Sequence, residues 1–191
     1  MTEKERKYYH RIESTLIGQK VKQVYYKEIN WEKDNSSFWE FSKDIHSVDM
    51  NIIFQLENGK LIQIMWDNEF YSYGVGLTIL KKLEDEKEGF KTFNVSENPN
   101  WEKLIGKEIS GIRILWSIIN EYKKYQVIRT EKTITKLPQT WELSFNQDKV
   151  WIAALEINKN ELDNYYLADH LSIFFSKKDE EKYNLCEKAS L

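Results

Sequence analysis

The chain has 191 residues, and its 28 Lys and Arg against 31 Asp and Glu give a net charge of −3. This acidic balance argues against a nucleic-acid binder, whose affinity depends on neutralising phosphates. Seven Trp, eleven Tyr and nine Phe, against seven Gly and two Pro, indicate a packed globular chain and exclude a disordered one.

The single cysteine, Cys186, excludes an intrachain disulfide and a CxxC-type zinc site, and it is typical of a reducing compartment. Residues 1–7 lack the apolar core of a signal peptide, and no stretch of the sequence is apolar enough to span a membrane. The sequence therefore predicts a cytoplasmic protein that binds neither nucleic acid nor a membrane.

An amphipathic helix is predicted over residues 5–17, because Tyr8, Ile12 and Leu16 recur at every fourth position, the spacing of one helix face. Gly18 follows and is predicted to end the helix, since glycine adopts the left-handed conformation there at no steric cost. A β-rich run over residues 21–29 comes next, so the chain is predicted to pass from the cap directly into a strand.

Asn58 and Gly59 separate two apolar runs, 52–57 and 60–66. Both residues tolerate the positive φ angles of a type I′ turn, so this segment predicts a tight β-hairpin. With a further strand over residues 71–80, the first half reads as a helix followed by four antiparallel strands.

The same order of signals returns in the second half of the chain. Leu104-Ile105-Gly106 repeats Leu16-Ile17-Gly18 after 88 positions. Before it, Asn98 and Pro99 have the residue types of a helix N-cap and first helical position. A strand is predicted over residues 109–119, then a hairpin with its turn at Gln147 and Asp148, and a strand over 171–175.

The sequence thus predicts a β-rich α+β fold made of two pseudo-repeats, each a short helix followed by an antiparallel β-meander. The first repeat covers residues 1–80 and the second covers 98–176. A charged joint over 81–97 connects them, and a C-terminal tail covers 177–191. All four segments are expected to form one compact unit.

Both repeats carry an insertion before the hairpin, at residues 30–49 and 120–140. The first is acidic and aromatic and the second is basic. One interpretation is that the two loops contact each other, or that the aromatic side chains cover an open end of the core. The other is a partner surface, with Trp and Tyr as anchors and an acidic rim that steers a basic protein. The candidate partner-binding residues are Trp31, Glu32, Asp34, Phe38, Trp39, Glu40, Phe41, Asp44, Trp66, Asp67, Glu69, Tyr71 and Tyr73.

Asp67 and Glu69, with His46 or His170, have the side-chain types of an acid–base or metal site. Two acids at i and i+2 beside a strand end are more typical of a solvated turn, and His170 is expected at a strand end, bonded to the backbone. The sequence contains no Gly-rich phosphate loop, GxSxG elbow or HxxxH pair. It predicts no catalytic residue, metal or cofactor, and no enzyme.

Leu16-Ile17-Gly18, the run Trp66-Asp67-Asn68-Glu69-Phe70 that ends the hairpin, and Tyr73-Gly74 resemble a pattern in small uncharacterised bacterial proteins. The resemblance covers about the first half of the chain. Small acidic bacterial proteins without catalytic motifs are similar in type to the immunity proteins that neutralise polymorphic toxins. This resemblance implies a protein-binding or inhibitory module whose partner is a basic toxin domain.

Two other functions remain open from the sequence. One is a small-molecule-binding protein or hydrolytic enzyme with a pocket between the repeats, near Asp67, Glu69 and His170. The other is a homodimer that forms through unpaired sheet edges.

Overall fold

The computed structural model describes residues 1–29, 38–70, 74–83, 89–125, 128–157 and 165–185, with the backbone alone for 119–125, 128–135 and 165–169. In chain order, the described residues form one helix, seven strands, a second helix, four strands and a third helix. The elements are α1 (Glu3–Leu16), β1 (Val21–Ile29), β2 (Trp39–Ser42), β3 (Ile45–Val48), β4 (Asn51–Leu56), β5 (Leu61–Asp67), β6 (Gly74–Leu80), β7 (Phe90–Asn94), α2 (Pro99–Glu102), β8 (Gly111–Tyr125), β9 (Ile128–Phe145), β10 (Asp148–Ile157), β11 (Tyr165–Phe174) and α3 (Lys177–Lys182).

The strands form two antiparallel sheets, which confirms the prediction of a β-rich α+β fold. One sheet has five strands in the order β6-β5-β4-β1-β7, and the other has six in the order β2-β3-β11-β10-β9-β8. Strand β7 comes from the stretch predicted as a charged joint and pairs with β1. The β2–β3 hairpin belongs to the first insertion, yet β3 pairs with β11 of the second half. The described part of the insertion, residues 38–49, is therefore part of the six-stranded sheet.

The predicted apolar face of α1 and the predicted N-cap of α2 are confirmed. Helix α1 buries Tyr8, Ile12 and Leu16, and Thr2 caps its N-terminus in a capping box with Glu5. The N-cap of α2 is Asn98, whose side chain accepts a hydrogen bond from the backbone of Asn100.

Gly18 lies just past α1, whereas Gly106 lies in the turn that follows α2, whose C-cap is Lys103, so the prediction that Gly106 caps the second helix is wrong. Both glycines take a positive φ, of 77° and 75°, where a side chain would be strained. Their backbone contacts are reciprocal. Gly18 N–H donates to the carbonyl of Ile109 at 3.0 Å, and Gly106 N–H donates to the carbonyl of Val21 at 2.8 Å. A β-bridge between Lys20 and Glu108 lies between these bonds. The backbone at the two glycines therefore connects the two halves of the chain directly.

A single large apolar cluster, the main core, includes residues from both sheets and from α1 and α2. A second cluster lies on the other face of the six-stranded sheet, since alternate residues of a strand point to opposite faces. Ile152 of β10 belongs to the main core, and its neighbour Trp151 belongs to this outer cluster. The outer cluster comprises Ile45, Leu115, Trp151, Ala153, Leu155, Ile157, Phe174, Tyr183 and Leu185. No helix in the described part of the chain is long and apolar enough to cross a membrane.

Both predicted hairpins form, but the predicted turns are wrong. Leu56 N–H donates to the carbonyl of Lys60, and Gly59 alone takes a positive φ, of 83°, so the first loop has three residues and is not a type I′ turn. In the second hairpin Phe145 faces Asp148, which places the turn one residue earlier than predicted. Asn146 takes the positive φ of 58° there, a conformation that Asn tolerates well.

Candidate functional site

Strand β2 forms one edge of the six-stranded sheet and presents Trp39 to solvent. The side chain of Trp39 is 56% exposed, whereas Phe38 and Phe41 on either side are partly buried. Phe38 packs against the main core, with its ring 5.1 Å from that of Tyr26, and Phe41 packs against the outer cluster. The two phenylalanines therefore fix the strand on opposite faces of the sheet and leave the indole free to contact another molecule.

Glu40 and Asp44 connect this hairpin to the rest of the fold. The exposed Glu40 carboxylate accepts a hydrogen bond from Asn98 Nδ2 at 2.9 Å, which links β2 to the start of α2. The backbone carbonyl of Asp44 accepts from Phe175 N–H at 3.0 Å. The side chains predicted for this surface at Trp31, Glu32 and Asp34, and those at Tyr71 and Tyr73, lie outside the described residues and stay predictions.

His46 lies on β3 and is fully buried in an aromatic network, although no partner for it was predicted. Trp101 Nε1 donates to the hydroxyl of Tyr26 at 2.5 Å, and this hydroxyl lies 2.7 Å from His46 Nδ1. Burial lowers the pKa of His46 to about 4, so the imidazole is neutral and Nδ1 accepts from the tyrosine. Nε2 then carries the proton, and it has no hydrogen-bond partner among the described residues; the carboxylate of Glu40 lies 3.9 Å away.

His170 is bonded to side chains, and the prediction of a strand-end histidine bonded to the backbone is wrong. It lies within β11, and its Nε2 is in hydrogen-bond contact with the hydroxyl of Ser47 on the paired strand β3. Its Nδ1 lies 3.3 Å from Asp49 Oδ1. Ser47 and His170 are each 7% exposed. The three side chains form a connected Ser–His–Asp arrangement at the end of β3.

Glu28 of β1 holds the backbone beside this arrangement. Its Oε2 accepts from Asp49 N–H at 2.9 Å, whereas the buried Oε1 has no partner in the described part of the structure. Burial raises the pKa of Glu28 to about 8, against the opposing effect of the Asp49 N–H. Glu28 is therefore mainly protonated at neutral pH.

Asp67 and Glu69 contact α1, and within the described residues neither contacts His46 or His170. Glu69 forms an ion pair with Arg11 at 2.5 Å, and its carbonyl accepts from the Lys4 ammonium. Burial raises the pKa of Asp67, which also accepts from Glu69 N–H at 3.1 Å. These acids therefore dock the helix onto the end of β5. Trp66 just before them is partly buried against the main core.

Gly76 on β6 leaves the space that the Asp67 side chain occupies. A Cβ at Gly76 would lie 1.7 Å from Asp67 Oδ2, 2.5 Å from its Cγ and 3.1 Å from its Cβ. We expect Gly76→Ala to destabilise the protein by about 1–3 kcal/mol, the usual cost of overpacking. Urea unfolding checks this value. The Asp67→Ala variant lacks the two closest atoms, Oδ2 and Cγ, so Gly76→Ala should destabilise this variant less than it destabilises wild type. If Gly76→Ala costs the same in both backgrounds, the contact with Asp67 is not the cause.

A cleft of about 700 Å³ has a lining of mixed charge around the buried Glu142. Arg113 and Lys149 each lie 2.6 Å from its carboxylate, and Trp151 Nε1 donates to it at 3.0 Å. Burial opposes ionisation, but the hydrogen bonds from Lys149 and Arg113 hold the pKa of Glu142 below its ordinary value. The carboxylate is engaged in ion pairs, so it is not available as a general base.

In the part of the chain that the structure describes, no three His, Cys, Asp or Glu side chains are grouped closely enough to hold a metal ion.

Comparisons of the chain with protein-family models, with curated proteins and with solved structures gave no match. Sequence reasoning missed Ser47 and Glu28 as site residues. The i, i+2 spacing of Ser47 and Asp49 indicates a shared strand face, but their partner His170 is on a strand far along the chain.

Proposed function

We propose that this protein is a cytoplasmic protein-binding or inhibitory module that holds a basic protein at the β2 edge, in the way an immunity protein holds a toxin domain. The observation that supports this function is the exposed Trp39 on a strand fixed from both faces. Tryptophan is among the residues that contribute most binding energy at protein interfaces. Since Phe38 and Phe41 already order the strand, binding costs little further conformational entropy.

Charge favours a basic partner over a neutral one. Residues 31–49 contain five acids against two lysines, and the whole chain is acidic. Glu40, next to Trp39 on β2, is exposed. A rim of one sign speeds the encounter with a partner of the opposite sign, and this attraction weakens as salt is added.

Trp39→Ala is expected to weaken capture of the partner by about 30-fold, the loss of a hot spot of ~2 kcal/mol. The tagged wild-type protein, incubated with a lysate of the source organism, should retain one basic protein at a 1:1 ratio, with less retained as salt rises. Ile79→Ala is the matched control, because Ile79 is 57% exposed on β6 of the other sheet. It should leave capture unchanged.

Equal capture by Trp39→Ala and wild type, or capture of no stoichiometric partner, would reject the β2 edge as the binding surface. Light scattering of the purified chain tests the homodimer instead. If wild type has the mass of two chains and Trp39→Ala has the mass of one, the partner at the β2 edge is a second copy of this chain and not a toxin-like protein.

We also propose that the two halves are copies of one ancestral unit. The β1-β4-β5-β6 and β8-β9-β10-β11 ladders have the same strand order, and the reciprocal bonds of Gly18 and Gly106 support the same relationship. On this interpretation the common scaffold supplies stability and the unlike insertions supply function.

A further inference from the structure

We propose that Ser47 is a nucleophile, activated by His170 and Asp49, that accepts the acyl group of a small uncharged ester. This activity goes beyond the protein-binding function proposed above and shares Trp39 with that surface. It differs from the hydrolytic site expected from the sequence, because it uses neither Asp67 nor Glu69.

The connectivity of the three side chains is that of a nucleophile, a base and an orienting carboxylate. The Ser47 hydroxyl contacts His170 Nε2, and Asp49 Oδ1 lies 3.3 Å from Nδ1. In serine hydrolases the carboxylate holds the imidazole with its proton on Nδ1, so that Nε2 is free to take the serine proton. The same tautomer satisfies both contacts here.

The surroundings keep this arrangement in place and away from bulk water. Ser47 and His170 are buried in the sheet, while the side chain of Asp49 keeps 22% of its exposure. The Asp49 backbone is fixed by its N–H bond to Glu28. Because Ser47 and His170 are buried and Asp49 is fixed beside them, little free energy is spent on reorienting polar groups when the proton passes from Ser47 to His170.

Trp39 indicates which substrate reaches Ser47. It lies directly opposite Ser47 in the β2–β3 ladder, so the two side chains share a face of the sheet. Ser47 is one strand in from the edge, and an acyl or aryl group that approaches over β2 would contact the exposed indole. The carboxylate of Asp49, 3.3 Å from His170 Nδ1, disfavours an anion, which selects uncharged esters.

The reaction balances without a cofactor. The Ser47 oxygen attacks the ester carbonyl carbon while its proton passes to His170 Nε2, and Asp49 stabilises the imidazolium. The C–O bond to the leaving group breaks, the leaving oxygen takes the proton from Nε2, and the acyl group remains on Ser47. Water then attacks the acyl group, with His170 as the base, to release the acid and restore the serine.

Slow chemistry is expected, so a covalent adduct is the better readout. Strand β3 lies between β2 and β11, and its backbone N–H groups face these neighbouring strands. When backbone N–H groups are directed at the reacting carbonyl oxygen as an oxyanion hole, they typically raise the rate about 100- to 1,000-fold. The N–H groups of β3 are not directed in this way, so the reaction is expected to be slow. A reactive ester or fluorophosphonate carries a good leaving group and should label Ser47 faster than the adduct, whose leaving group is the serine oxygen, is hydrolysed.

The test is labelling of the full chain with p-nitrophenyl butyrate and with an alkyl fluorophosphonate, followed by intact mass and peptide mapping. One adduct on Ser47 is expected, none in Ser47→Ala, and about a 100-fold slower reaction in His170→Gln. Ser172→Ala is the matched control, because Ser172 lies beside Ser47 in the sheet and its hydroxyl donates to the carbonyl of Leu155. It should label like wild type.

Asp49 acts through His170, so its test includes rescue. Asp49→Asn should slow labelling, and Asp49→Glu should restore part of the rate at an unchanged melting temperature. Urea-unfolded wild type should not label, which tests activation by the fold even if a variant fails to fold. No adduct on the native chain, an adduct that persists in folded Ser47→Ala, or equal rates for folded wild type and His170→Gln would overturn the proposal.

Discussion

Trp101→Ala is expected to destabilise the protein by about 3–5 kcal/mol, enough to unfold a marginally stable domain. Trp101 is fully buried, and its ring lies 5.0 Å from that of Phe175 and 5.6 Å from that of Phe54. The substitution removes these contacts and leaves a cavity. It also removes the donor to Tyr26, whose hydroxyl in turn contacts His46.

Trp39→Ala is the matched control for Trp101→Ala, because it deletes the same side chain from an exposed position. We expect it to change the free energy of unfolding by no more than about 0.5 kcal/mol. Urea unfolding followed by circular dichroism measures both variants. Similar losses in the two variants would show that Trp39 is a core residue, and the binding surface proposed for β2 would then be wrong.

The stability of the wild-type protein is expected to fall by about 1 kcal/mol between pH 6.5 and pH 8, because the loss from Glu28 outweighs a smaller gain from His46. The pKa of Glu28 is about 8 in the folded protein, against 4.5 for the free side chain. Between these values the folded state binds more protons than the unfolded state, so the free energy of unfolding decreases as pH rises.

His46 has the opposite effect over a lower range. Its pKa is about 4 when folded, against 6.5 for the free side chain, so the unfolded state binds more protons there and stability increases as pH rises. The two slopes oppose each other from about pH 4.5 to about pH 7, because half of the unfolded His46 side chains are still protonated at pH 6.5. Above about pH 7.5 the loss from Glu28 dominates.

Glu28→Gln separates the two groups. The variant should lose the fall between pH 6.5 and pH 8 and show below it the rise from His46 that Glu28 offsets in wild type, since glutamine is uncharged at every pH and retains an oxygen for Asp49 N–H. Urea unfolding at pH 6.5 and pH 8 checks this. A decline in Glu28→Gln as steep as in wild type would assign the pH dependence to other groups.

Local signals in the sequence were enough for α1, α2 and most strands, but not for α3, which lies in the predicted C-terminal tail. The apolar spacing of Tyr8, Ile12 and Leu16 depends only on the helix repeat, and Gly18 and Gly106 depend only on the conformation of one residue. The hairpin between β4 and β5 was also predicted. Its turn type was predicted wrongly, because Asn58-Gly59 fits a three-residue loop with a positive φ at Gly59 alone as well as a type I′ turn.

Local signals in the sequence did not predict most of the candidate site. The aromatic segment at Phe38, Trp39 and Phe41 was singled out from composition, but only the structure separated the exposed indole from the two anchors. Composition reports how many aromatic side chains a segment has. Which of them is buried depends on what packs against each face of the strand.

By itself, the sequence determined the β-rich class, the helix ends at Gly18 and Asn98, the existence of both hairpins and the acidic aromatic character of the first insertion. Tertiary structure alone decided that this insertion joins the sheet of the second half and that Ser47 meets His170, 123 positions away. The reason is physical. Helix periodicity and glycine conformations are properties of neighbouring residues, whereas any antiparallel strand edge offers the same backbone donors and acceptors, so only the packing of the whole chain selects which edge is used.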